Sequence, residues 1–497
     1  MSSSASEPRA GAVVGQRGSR VEAVQFRGWL PAILMVGAVL RLVELGRKSF
    51  WLDEITTVAI VRMPGFSFWS LVWHDEGNMA LYYVLLRGWM HFGTSEATIR
   101  LLSVIPGIAT ILLMYLLGTR LFGEKAGLLA AGFMAINACD VVVSQEARAY
   151  SFVVLGVAGS TLLLVRCLER PSMARALAYG VVAGLTFYFH YFGILVPVAH
   201  AVSFAALPAA RRHSKQMLVA AGIMAIFASP VLWMVHTQSI QHIEWVQRSS
   251  FLELYHFGSY LAAESGKVVG GVLLVLDLIL IGLFLRSYPR RGSDREDSLA
   301  PWRYALVASG FFTPVAISLM VSLIRPVFYH RFLIICLPFW ILMMAVGVQQ
   351  ITARRWRAAA IGALCLLSLV ATVLSYTRVK EDWRGVVGYL INHAQPEDRV
   401  LYYEAVGGYG AEGYRDWMEG PNTKRPTAIM IEPANVDWEK KTEQAPRVWL
   451  VLFRAKPGDP GPASAIQNTL LGHFTAETPM RFRGITVIEY RAKPGAL

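Results

Sequence analysis

Carboxylates that can take a proton, set among guanidinium groups that can hold a phosphate, are the reactive parts this chain offers. They come in four short clusters at the ends of apolar runs, where an unpaired charge is costly and persists mainly where it is paired or used. The first is Arg41-Leu-Val-Glu44, followed by Phe50-Trp51-Leu52-Asp53-Glu54. The second is Ser144-Gln-Glu146-Ala-Arg148-Ala-Tyr150, and the third is Phe189-His190-Tyr191-Phe192. The fourth, Arg325-Pro-Val-Phe-Tyr-His330-Arg331, joins two later apolar runs.

The elements that must position these residues follow from composition. The 497 residues are 55% hydrophobic and 16% charged, with a mean hydropathy of +0.43. An ordinary soluble domain carries about 25% charged residues, and a disordered chain is poorer still in apolar ones. Apolar runs long enough to cross a bilayer, about 17–25 residues each, predict an α-helical polytopic membrane protein with about eleven transmembrane helices. They fall at 28–46, 99–118, 126–143, 151–168, 175–190, 191–208, 216–236, 268–286, 303–324, 332–350 and 358–376. With residues 1–27 as a disordered cytoplasmic tail, the basic loops around Arg120, Arg170, Arg211, Arg291 and Arg355 all land inside, as the positive-inside rule requires. The net charge of +13 therefore sits in short loops and does not call for nucleic acid.

On this topology all four clusters lie on the outer face of a multi-pass cell (inner) membrane protein. The long first outer loop, 47–98, holds EITTVAIVRM, FSFWSLVW and ALYYVLLRGWM, apolar-aromatic stretches too short to span and suited to helices in the interface plane. The membrane part runs from 28 to 376. Residues 377–497 change to soluble composition, with strand-like runs at 400–404, 427–431, 447–453 and 485–490 and helix-like runs at 382–394 and 463–474, which predicts an extracytoplasmic α/β domain.

Each cluster has an ordinary structural explanation beside the chemical one. Arg41 and Glu44 are spaced for an i,i+3 ion pair, Asp53 for capping the next helix, Glu146 and Arg148 for a local pair, and His190 and Tyr191 for aromatic packing. Arg325, His330 and Arg331 run against the positive-inside trend, and a bound anion would account for them. In the outer loop 237–267, His242, Glu244, Glu253 and His256 offer a slight divalent-metal signal. Cys139, Cys167, Cys336 and Cys365 lie in or beside apolar runs and read as small hydrophobes. No nucleotide-binding motif of the GxxxxGK[ST] or GxGxxG kind is present, so phosphorylated fuel would arrive as lipid.

The stretches RLVELGRKSFWLDE, ALYYVLLRGWMHFGTSEATIRLLSVIPG, LFGEKAGLLAAGFMAINACDVVVSQEARAYS, HRFLIICLP and YTRVKEDWRGVVGYL, in this order, resemble the GT-C superfamily of membrane glycosyltransferases. Within it they are similar to bacterial polyprenyl-phosphate-sugar enzymes akin to protein O-mannosyltransferases and the lipid A aminoarabinose transferase. The similarity runs from about Arg41 to Leu390. It departs at Met79-Ala80, where relatives often carry Pro-Pro, and no two tryptophans are adjacent, so the oligosaccharyltransferase signature is missing.

The resemblance implies Asp53 at the acceptor hydroxyl with Glu54 completing an acidic pair, and Arg148 and Arg331 on the donor phosphate. Arg41, His74, Glu146, Tyr150, His190, Tyr191 and His330 complete the expected substrate-binding set. The expected partners are a polyprenyl-phosphate-linked sugar donor, a lipid, glycan or protein acceptor, and membrane lipids; a divalent metal is the one cofactor the chemistry would accommodate. The alternative is a transporter or flippase of lipid-linked sugars without chemistry. Against it, the polar clusters gather at one face, whereas transporter sites lie near the midplane.

Overall fold

The computed structural model of the chain describes residues 28–207, 213–237, 251–264, 267–289, 299–378, 380–420, 423–431, 437–455 and 461–494. The expected N-terminal tail lies outside them. Among the described residues, seven helices are long and apolar enough to cross a membrane, and a bent helix pair makes an eighth candidate. Three apolar helices of 10–17 residues, Leu30–Leu42, Met173–Phe187 and Tyr191–Ala206, occupy the remaining expected spans. Each of the eleven expected segments thus coincides with an apolar helix or helix pair.

The first helix, α1 (Leu30–Leu42), is followed by the expected long loop 47–98, which folds around three short α-helices: α2 (Leu52–Arg62), α3 (Gly65–His74) and α4 (Ala80–Trp89). On α3, Phe68 and Val72 are buried while Phe66, Trp69 and Trp73 are exposed, the division expected of a helix lying in the interface. Spanning helix α5 (Glu96–Phe122) is capped by Ser95, whose Oγ accepts the Thr98 N–H at 3.1 Å. It packs closely against α6 (Glu124–Ile136), where a Cβ on Gly118 would come within 2.9 Å of the Gly127 Cα.

The break between α6 and α7 (Ala138–Ser144) bends the chain by 58°. Asn137 makes the break: its Oδ1 accepts the Asp140 N–H at 3.0 Å, and its Nδ2 donates to the Leu261 carbonyl at 2.9 Å. A helix broken at membrane depth leaves carbonyls that other groups must satisfy. Arg41 does so, donating to the carbonyls of Met134 and Ala135 at 3.1 and 3.0 Å and to Asp140 Oδ2 at 2.5 Å. The expected Arg41–Glu44 pair is therefore corrected: Glu44 pairs with Arg47, and Arg41 reaches almost a hundred residues along the chain.

After the last spanning helix, Arg354–Thr377, the chain forms the expected α/β domain. Its strands are β1 (Arg399–Tyr403), β2 (Thr427–Ile431), β3 (Arg447–Phe453), β4 (Phe474–Ala476), β5 (Met480–Phe482) and β6 (Ile485–Ala492). The order is β2-β1-β3-β6-β4, with β5 also on β6; β2, β1 and β3 run parallel and β6 antiparallel to β3. An additional helix, Ala405–Glu419, lies directly on α2 through Gly410 and Gly413, which face Leu52, Ile55 and Ala59. Arg384 binds Glu96 at 2.6 Å, and its backbone N–H donates to Ser49 Oγ at 3.1 Å. The sheet domain is thus fastened to the segment that carries the first cluster.

Candidate active site

The geometry begins with α2. Its N-cap position is Trp51, whose N–H donates to Glu54 Oε2 at 3.3 Å, so Asp53 stands in the first turn and does not cap the helix. Glu54 turns inward and is fully buried. Arg100 binds it with two hydrogen bonds, Nε to Oε1 at 2.8 Å and a terminal nitrogen to Oε2 at 2.6 Å, and the Ala147 N–H donates to Oε1 at 2.8 Å. Burial alone would raise the Glu54 pKa, but the Arg100 charge and its hydrogen bonds hold it below the ordinary carboxylate range. Both oxygens are committed to the scaffold. Asp53, one residue earlier, keeps a side chain 36% exposed.

The second cluster then divides. The Arg148 N–H donates to the Glu146 carbonyl at 2.8 Å in a tight turn, and the two side chains go to different partners. Arg148 lies 3.9 Å from Asp53 Oδ2 and donates to Thr57 Oγ1 at 3.1 Å. Ser103 Oγ donates to its carbonyl at 3.1 Å and shares a hydrogen bond of the same length with the Tyr82 hydroxyl. Glu146 pairs with Arg331 through one oxygen and with Lys380 Nζ through the other at 2.9 Å. Burial would raise Glu146, yet the Arg331 charge, then Lys380, hold it down at about 2.

Aromatic rings close the cluster. The Arg331 guanidinium lies over the Trp51 ring at 4.9 Å and the Tyr150 ring at 5.1 Å, and Lys380 Nζ over Trp51 at 4.7 Å. His190, buried, stands 6.0 Å from the Tyr150 ring and 5.2 Å from Phe332. Asp53, Glu146, Arg148, Tyr150, His190 and Arg331, drawn from four separate segments, therefore meet in one place. Three cations face two carboxylates there, leaving room for an anion. Glu146 is one reason for the basic residues on this face; the remaining positive charge is the other.

Other expected members are held by other partners. Arg41 is consumed at the α6–α7 break. His74, at the exposed end of α3, donates Nδ1–H to the Ser70 carbonyl at 2.9 Å. Tyr191 is held by its backbone N–H on Asn78 Oδ1 at 3.0 Å. His330 stacks near Tyr260 at 4.9 Å, and burial, then the charges of Arg331 and His256, lower it to about 4. Of the metal-signal residues, His242 and Glu244 lie outside the described residues, and Glu253 and His256 are 3.3 Å apart on one helix. Among the described residues, no group of three or more His, Cys, Asp or Glu is placed to hold a metal ion.

Sequence reasoning placed Trp51 in the first cluster without giving it a role, and missed Lys380 and Arg100. Lys380 carried the same signal as Arg331, a cation on the face that should be poor in them. Behind it lies a cavity of about 50 Å³ lined in part by Lys48, Glu264 and Arg378. Burial, then Lys380 and Arg100, lower Lys48 to about 8. A larger cavity of about 500 Å³ sits at the opposite end of α5, around Arg120 and Arg303, away from these groups.

Residues 79–234 match the model of a family described as dolichyl-phosphate-mannose-protein mannosyltransferase. Among solved structures, the chain is similar to ArnT from Cupriavidus metallidurans in the apo state, with a TM-score of 0.64 and 12% identity over 93% of this chain and 98% of that one. The same protein bound to undecaprenyl phosphate gives 0.59 and 12% over the same shares. The Archaeoglobus fulgidus oligosaccharyltransferase in complex with zinc and sulfate gives 0.54 and 13% over 84% of this chain and 67% of that one. No curated protein matches the sequence. The class these findings define is a multi-pass membrane protein with the GT-C glycosyltransferase fold. Within that class its fold is ArnT-like, and the resemblance carried by the motifs holds.

Proposed function

We propose that the chain is a membrane glycosyltransferase that moves a sugar from a polyprenyl-phosphate carrier to an acceptor hydroxyl on the extracytoplasmic side, with inversion. The observation that carries this reading is the partly exposed Asp53 carboxylate 3.9 Å from Arg148, beside the Arg331–Glu146–Lys380 group. The family model over residues 79–234 and the undecaprenyl phosphate bound by the ArnT structure support it.

In the proposed step, Asp53 takes the acceptor proton. The acceptor oxygen bonds to the anomeric carbon while the bond from that carbon to the phosphate oxygen breaks, its electron pair leaving with polyprenyl phosphate. The leaving group needs charge stabilisation more than protonation, which Arg148, Arg331 and Lys380 supply. Glu54 acts indirectly: by fixing Arg100 and the Ala147 N–H, it sets α2 against the turn that carries Arg148. The test is incubation of the purified protein with a polyprenyl-phosphate sugar and an acceptor, reading free polyprenyl phosphate. Release by wild type and not by Asp53→Asn supports the transferase; transport of intact donor with no release overturns it.

A further inference from the structure

His190 is fixed in one tautomer by its neighbour. The Phe192 N–H donates to His190 Nδ1 at 3.2 Å, so Nδ1 carries the lone pair and the ring proton is on Nε2. That Nε2–H is buried and has no acceptor among the described residues. Buried donors without an acceptor are rare in folded proteins, and each needs a reason.

Three more buried donors of the same cluster share this condition: Arg148 Nε, Arg331 Nε and Trp51 Nε1. They are linked to His190 through rings already described. Arg331 lies on Trp51 and Tyr150, Tyr150 stands beside His190, and the Arg148 charge acts on the His190 ring. Four N–H groups and a surplus of positive charge in one place call for a ligand that is anionic and only accepts hydrogen bonds. A phosphate group meets both conditions, whereas a sugar hydroxyl would bring donors of its own.

Resting on the transferase reading, we infer that His190 Nε2–H donates to a phosphate oxygen of the polyprenyl carrier. As a neutral donor it adds specificity for the oxyanion without adding charge, and it holds the phosphate on the Tyr150 side of the cluster. Its substitution should weaken the bare carrier phosphate as well as the sugar-loaded donor.

The test uses full-length protein in detergent and undecaprenyl phosphate, with binding followed by tryptophan fluorescence. His190→Gln places an amide N–H near the Nε2 position and should bind within about threefold of wild type. His190→Asn reaches only the Nδ1 position and should bind about tenfold to a hundredfold more weakly, the scale of one hydrogen bond to a charged group. Thermal unfolding of each variant confirms that it is folded. Equal binding by His190→Asn and wild type overturns the inference alone, as does an equal loss in both folded variants. Failure of wild type to bind the lipid phosphate at all overturns the transferase reading and this inference with it.

Discussion

Lys380 Nζ, just beyond the last spanning helix, lies 2.9 Å from Oε1 of Glu146, more than two hundred residues earlier in the chain. The contact closes the candidate site with a residue from the connection to the sheet domain. Lys380→Met would leave Arg331 and Glu146 as a neutralised pair, with Arg148 and Asp53 as another. We predict a roughly tenfold loss of affinity for undecaprenyl phosphate, with partial recovery in Lys380→Arg, measured by fluorescence titration. Unchanged affinity in the methionine variant would remove Lys380 from the phosphate-binding set.

Asp53 has few structural duties beyond its 3.9 Å pairing with Arg148. Asp53→Asn is therefore expected to fold normally and to lose about 10²–10⁴ in turnover, the usual contribution of a positioned general base. Initial rates of polyprenyl phosphate release, normalised to folded protein, decide this. A rate near wild type would reject the assignment.

Glu54→Gln should behave in the opposite way. The substitution strands the buried Arg100 charge, and breaking such a pair costs about 3–5 kcal/mol. The expected result is a large drop in thermal stability in detergent, with activity lost only as the folded fraction is lost. A stable, folded Glu54→Gln protein that is inactive would instead place Glu54 in the chemistry.

Stability should also depend on acid through His330, held at about 4 against an ordinary 6.5. The folded ring resists protonation, so between those values the unfolded chain binds more protons, and stability falls as pH falls from about 6.5 toward 4. Glu146, held at about 2, works lower: its contribution is complete above the ordinary carboxylate value of about 4.5 and is lost toward 2. Unfolding followed from pH 7 to 4 should show a decline that is shallower in His330→Gln. An identical decline in both proteins would exclude His330 as its source.

Much of the membrane fold was legible because apolar length is a strong signal, and the strands at 427–431 and 447–453 fall where their β-branched and aromatic runs put them. Helix Ala405–Glu419 was not legible: four glycines in its sequence argue against a helix, and close packing explains them, Gly410 and Gly413 on α2 and Gly407 and Gly408 on Trp383, Phe453, Tyr402 and Met430. In the site, Asp53, Arg148 and Arg331 could be named because charge at a membrane face is conspicuous. Their partners could not, since Arg41 to Asp140, Glu54 to Arg100 and Glu146 to Lys380 are all long-range pairs. Local spacing favoured Glu44 for Arg41, whereas the broken helix supplied carbonyls and a carboxylate that satisfied more of its donors.

The glycines of helix Ala405–Glu419 lead to the last prediction. A Cβ at Gly413 would stand 3.2 Å from Ala59 Cβ, and one at Gly410 3.3 Å from Leu52 Cδ1, so neither position has space for a larger side chain. Leucine at 413 would push the helix away from α2, the element that carries Asp53, at a typical overpacking cost of about 1–3 kcal/mol. Arg148, Arg331 and Tyr150 are carried on other segments, although Arg148 donates to Thr57 of α2 and Arg331 lies over Trp51 at its N-cap, so binding of undecaprenyl phosphate should fall less than turnover. Turnover, which needs Asp53 in register with the acceptor, should fall about tenfold or more. Gly413→Leu with full turnover would show that the sheet domain does not hold the catalytic helix in place, while parallel loss of lipid binding and turnover would point to a wider collapse of the segment 47–98.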